Sequence, residues 1–158
     1  MTDAAESANF SKVDITAAPE RAAQVRHEFS DWLRRNFTLD PVKASDVLLA
    51  VNEALANAAE FAYVGAAEPG VMHVRADYDR DAATLTVTVT DEGAWRISEK
   101  TEDPARGRGI PLMHALTDRA VIDSTAAGTQ VSLQWQDISA IPTAVADVPT
   151  QNCGSRTT

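Results

Sequence analysis

Apolar residues along this chain recur with two different periods. Val25, Phe29, Trp32 and Leu33 follow Pro19 at helical spacing, which predicts an amphipathic helix ending near Asn36. A second helix is predicted after Asp40, an N-cap with Pro41 in the first helical position, running to about Ala62. Its apolar stripe is Val47, Val51, Ala54, Leu55, Ala58 and Ala62, rich in small residues that permit close packing on a sheet. Gly65 and Pro69-Gly70 break the pattern, and the period then becomes two. Met72, Val74, Ala76 and Tyr78 alternate with His73, Arg75 and Asp77, and Leu85, Val87 and Val89 alternate with Thr84, Thr86, Thr88 and Thr90. Asp79-Arg80-Asp81 joins these two strands as a tight antiparallel turn, without an Asn-Gly signal to set its length. Further strands are predicted over about Phe10 to Thr16, Arg119 to Ser124 and Thr129 to Trp135, with a short helix through Met113 and Leu116.

Strands with one apolar and one polar face leave one side of the sheet wet and require helices on the other. The expected class is α+β, a two-layer α/β sandwich with a mixed, mostly antiparallel sheet and helices on one face. Three segments are expected: a flexible head over 1–9, one domain over 10–136 and a flexible tail over 137–158, where Ala, Thr, Pro, Val and Ser replace periodicity.

The length of 158 residues and a 44% hydrophobic content suit one domain with a core of its own. Net charge is −9, and 19 acidic against 13 basic residues still leave −6 once head and tail are removed. This disfavours direct nucleic-acid binding and anionic lipid. Cys153 is the single cysteine, which removes disulfide frameworks and cysteine-rich zinc sites. No apolar run approaches the roughly 20 residues that span a bilayer, and the acidic start is unlike a signal peptide. A cytoplasmic protein with no membrane association is expected.

Three places carry candidate chemistry. Glu53 and Asn57, four residues apart on the second helix, project from one face at the flank of the apolar stripe. A carboxylate beside an amide can supply a general base and a ligand for hydrated Mg²⁺; a solvated face shared with Asp46 and Glu60 is the plainer alternative. Asp91 continues the register of Leu85, Val87 and Val89, so its carboxylate points toward the helix-covered side where the strand ends. An adenine amino group would supply a donor to it, with Gly93 allowing close approach, although an Asp-x-Gly turn accounts for the same letters. Arg106-Gly107-Arg108-Gly109 precedes a helix with Pro111 near its first turn, which offers free backbone N–H groups and two guanidiniums to a phosphate, or else is an ordinary connection. Thr129 shares parity with Val131, Leu133 and Trp135 and directs a hydroxyl into the same inter-layer space.

In this order and spacing the residues resemble the ATP-binding fold shared by gyrase, Hsp90, histidine kinases and MutL, and most closely its anti-sigma-factor serine/threonine kinase branch. The resemblance covers Phe10 to Trp135. It rests on Asn52-Glu53-Ala54-Leu55-Ala56-Asn57-Ala58, Asp91-Glu92-Gly93-Ala94-Trp95, Gly107-Arg108-Gly109-Ile110-Pro111-Leu112-Met113 and Gly128-Thr129. It implies that Glu53 is the base for a protein hydroxyl, that Asn57 holds Mg²⁺ against ATP, that Asp91 takes the adenine amino group beside Thr129, and that residues 107–109 cover the phosphates. Trp95 stands where a second glycine is common and Phe61 where His often follows Glu60, while only 13 residues separate Gly93 from Gly107, a short lid. The implied function is an ATP-dependent protein serine/threonine kinase that phosphorylates a STAS-domain antagonist and sequesters a sigma factor, working as a homodimer. The alternative is a nucleotide-gated adaptor that binds a regulatory partner without transferring phosphate.

Overall fold

A computed structural model describes residues 9–60, 70–93 and 109–141. Five strands form one sheet in the order β1-β3-β4-β6-β5, where β1 is Phe10–Thr16, β3 Val71–Asp79, β4 Thr84–Asp91, β5 Arg119–Thr125 and β6 Gly128–Trp135. Every pairing in it is antiparallel. Helices α1 (Pro19–Asn36) and α2 (Pro41–Glu60) pack on one face, and α3 (Gly109–Ala115) packs against α2. This is the two-layer α/β sandwich that the alternation of apolar and polar positions demands.

The inward rows are Met72, Val74 and Ala76 on β3, Leu85, Val87 and Val89 on β4, and Val131, Leu133 and Trp135 on β6, all buried. Helix α2 answers with Val47, Ala50, Val51, Ala54, Leu55 and Ala58, whose small side chains let the helix lie close over β4 and β6. Asp40 caps it: its Oδ1 accepts the Lys43 backbone N–H at 2.8 Å, and its carbonyl accepts the Ala44 N–H at 3.0 Å. Helix α1 has no side-chain cap at Ala18 and begins on Pro19, whose ring removes one of the first-turn N–H groups that have no partner within a helix.

Three features add to the sequence expectation. Edge strand β1 contains a bulge between Lys12 and Ile15, where Asp14 takes φ 55° and donates its N–H to His73 Nδ1 at 3.0 Å. The turn between β3 and β4 is held by Asp79 Oδ1, which accepts the N–H groups of Asp81 and Ala82, and it places Ala83 at φ 53°. The domain also continues beyond residue 136. Ile138 is fully buried, and its carbonyl accepts the Tyr78 hydroxyl. Strand β7 (Ser139–Ala140) then pairs with β2 (Phe37–Thr38) as a second, two-stranded sheet. The segment expected as tail from residue 137 thus begins with one buried isoleucine and two paired residues, which leave no periodic trace.

Candidate functional site

At the end of the sheet where β4 stops and β6 begins, the inter-layer space changes from apolar to polar. Among the described residues the buried polar side chains are Asn57, Asp91 and Thr129, at 5%, 2% and 1% exposure. All three are candidates by sequence, and a buried polar group without a purpose costs stability. Asp91 and Thr129 face each other as cross-strand partners in the β4–β6 register. Asn57 comes from α2, the helix that packs over these same two strands.

Local chemistry shapes each element here. One Asp91 oxygen accepts the backbone N–H of buried Gly93 at 3.0 Å, so the chain turns out of β4 around its own carboxylate. Gly128, at φ 149°, packs its backbone against that turn; a Cβ there would sit 2.1 Å from the Asp91 carbonyl oxygen and 2.9 Å from Glu92 Cα. Only glycine permits this approach. The Thr129 hydroxyl lies 3.0 Å from that of Ser124 on β5. Ser124 escapes the sequence-based reading although it shares parity with the half-buried Ala120 and Ile122, and that parity is the available signal.

Glu53 stands half-buried on α2, one turn before Asn57. Partial burial pushes its carboxyl above the ordinary value of 4.5, and the negative charge of Glu60 adds to the rise. A raised carboxyl is a stronger proton acceptor than a surface glutamate once ionised, which suits a base. Arg26 of α1 donates to Asn52 Oδ1 at 2.9 Å and ties the two helices together beside Glu53, a contact between distant segments that no local motif signals.

Gly109 opens α3, and the far end of that helix is fixed by Trp135 Nε1 donating to the Leu116 carbonyl at 2.8 Å and Thr117 Oγ1 to that of Met113 at 2.7 Å. Arg106, Gly107 and Arg108 lie outside the described residues, as do Trp95, Phe61 and the short lid. Glu53 and Asn57 thus sit on α2, Asp91 and Thr129 on the paired ends of β4 and β6, Gly93 just past β4 and Gly109 at the start of α3, and the buried carboxylate and hydroxyl suit the amino edge of a base.

Compared with known proteins, residues 15–135 match the model of the histidine kinase-like ATPase domain. The chain belongs to that family. As a histidine kinase-like ATPase domain it also resembles three solved structures in fold. The RsbU and RsbW domains of Rv1364c from Mycobacterium tuberculosis give a TM-score of 0.64 at 22% identity, over 85% of this chain and 33% of that one. The present chain therefore spans about a third of that protein. The SiaB–SiaC complex from Pseudomonas aeruginosa gives 0.58 at 12% identity, over 79% of this chain and 88% of the matched one. The blue-light activated histidine kinase EL346 of Erythrobacter litoralis gives 0.50 at 22% identity, over 77% and 41%. Membership of the ATPase family makes ATP the nucleotide to be considered, and the carboxylate, amide and hydroxyl described above fit it.

Proposed function

We propose that this ATPase domain is a protein serine/threonine kinase that acts as an anti-sigma factor, with a STAS-domain protein as phosphate acceptor and a sigma factor as the partner it sequesters. The observation that carries the reading is the coincidence of the buried polar side chains, Asn57, Asp91 and Thr129, with a half-buried Glu53 one turn from Asn57. The kinship in fold to a chain carrying an RsbW domain supports the choice of branch.

In this reading Asp91 accepts a hydrogen bond from the adenine amino group, and Thr129 places its hydroxyl at the same edge. Adenine fits because its amino group is a donor and a buried carboxylate is a strong acceptor. Among the described residues Asn57 is the candidate side-chain ligand for Mg²⁺, which fits an ion that keeps most of its waters and takes phosphate oxygens. When bound, Mg²⁺ supplies charge neutralisation along the phosphates. Glu53 takes the proton of the acceptor hydroxyl as that oxygen bonds to the γ-phosphorus. The bond from phosphorus to the bridging oxygen breaks, and ADP leaves with the electron pair. Arg106 and Arg108, with Gly107 and Gly109, are assigned to the phosphates, and the working unit is assigned as a homodimer.

The test is phosphotransfer from labelled ATP to the cognate STAS-domain protein. Glu53→Ala should slow transfer by about 10²–10⁴-fold while Mg-ATP binding persists; transfer at the wild-type rate removes Glu53 as the base. Binding of Mg-ATP without transfer by the wild type replaces the kinase with the nucleotide-gated adaptor.

A further inference from the structure

Helix α2 has three distinct sides. Val47, Val51, Ala54 and Ala58 face the sheet, and Asn52 faces Arg26 of α1. At 100° per residue, Val42, Asp46, Leu49, Glu53, Ala56 and Glu60 fall within an arc of about 80° on the remaining side. Two of the few large hydrophobic residues exposed among the described residues lie on this one arc: Val42 at 71% and Leu49 at 39% exposure. They are two helical turns apart, about 10 Å, and Leu49 is one turn from Glu53. The arc carries three carboxylates and no Lys or Arg.

This arrangement sets the route to the candidate base. The acceptor group must come to Glu53 from outside the domain, while Asn57 next to it is buried toward the nucleotide side. A protein that brings a hydroxyl to Glu53 therefore lies along the solvent side of α2. We propose that the Val42–Leu49–Glu53 arc is the docking surface for the phosphate acceptor, and that the acceptor is a folded protein presenting apolar side chains and Lys or Arg beside its serine or threonine. The inference deepens the kinase reading and rests on it. Apolar partner groups would cover the parts of Val42 and Leu49 that are exposed to water. Cationic groups would meet Asp46 and Glu60, on either side of Glu53, steering encounter and setting register more than supplying affinity. Burial raises the Glu53 carboxyl and the negative charge of Glu60 adds to the rise, so these two carboxylates already repel each other.

The probe is the cognate STAS-domain protein, assayed with Mg-ATP for transfer and, separately, for nucleotide affinity. Val42→Asp and Leu49→Asp should each raise KM for the protein substrate about tenfold, with kcat and nucleotide Kd within about twofold of wild type. Asp46→Lys should also raise KM and flatten its dependence on salt. The exposure of Val42 makes its variant the safer one to fold, and unchanged nucleotide affinity certifies folding for both. An unaltered KM in both aspartate variants overturns the docking surface and leaves the kinase intact. So does a tighter KM for Asp46→Lys, which would mean an acidic partner, or loss of a dimer by sedimentation in Val42→Asp, which would mean a second copy sits there. A wild type that binds Mg-ATP but transfers nothing overturns the kinase reading and this inference with it.

Discussion

The two ends of the space between sheet and helices are built on opposite rules. At one end Phe10, Phe29, Trp32, Phe37 and Tyr78 form a chain of aromatic contacts, with ring centroids 4.9–5.6 Å apart and several edge-to-face. Strands β2 and β7 and buried Ile138 close it off. At the other end the same layers enclose Asn57, Asp91 and Thr129. Aromatic packing is strongly favourable and indifferent to ligand. Burial of a carboxylate, an amide and a hydroxyl is the reverse, since each needs partners that apolar neighbours cannot provide. One end can be read as the stabilising half of the domain and the other as the half that gives up stability for binding.

That division is tested most strongly by truncating the aromatic end. Phe29 is fully buried and meets Phe10 edge-on at 77°. Phe29→Ala should cost about 3–5 kcal/mol in denaturant unfolding. Nucleotide affinity, measured where the variant is still folded, should stay within about twofold; a large loss would show that the two ends are not separable.

A smaller loss is expected where the polar end depends on backbone shape. Gly128→Ala places a methyl group against the Asp91 carbonyl and the Glu92 backbone. Relief of that clash and of the φ of 149° should cost about 1–3 kcal/mol. Here stability and nucleotide affinity should fall together, as thermal unfolding with and without Mg-ATP would report. Asp91→Asn should separate them in the other direction. Affinity for ATP should fall about 10–100-fold by calorimetry as the charged acceptor is lost, while the unfolding midpoint changes much less because an asparagine oxygen can still accept the Gly93 N–H. A marked drop in stability would instead make Asp91 a structural turn residue.

Much of this is legible in the letters, for identifiable reasons. Strict alternation over Met72 to Tyr78 and Leu85 to Val89 decides which face of each strand is buried, and the same parity puts Asp91 and Thr129 on the inner face. Asp40-Pro41 announces the start of α2 and, with it, the phase of Glu53 and Asn57. Strands β2 and β7 have two residues each, too few for a period to exist. The bulge at Asp14 and the pair Arg26–Asn52 depend on partners 59 and 26 positions away, which no local pattern encodes. Ser124 lies between these cases: its parity is visible, but the hydroxyl pairing that gives it meaning requires the β5–β6 register.

The subtlest expected effect concerns Glu53, which lies between the two rules because it is only half-buried. In the unfolded chain its carboxyl titrates near the ordinary value of 4.5, whereas in the folded protein burial and Glu60 hold the proton on to higher pH. Between these two points the native state binds more protons than the unfolded one. Stability therefore falls as pH rises through that window, and the penalty is complete above it. Glu53→Gln removes the ionisable group, so the variant should be more stable than wild type at pH 7 and equal to it well below pH 4.5. Added salt should shrink the part due to Glu60 and leave the part due to burial. Unfolding curves across pH that run parallel for the two proteins would show that Glu53 is solvated like any surface carboxylate, and the case for a tuned base would lose its electrostatic support.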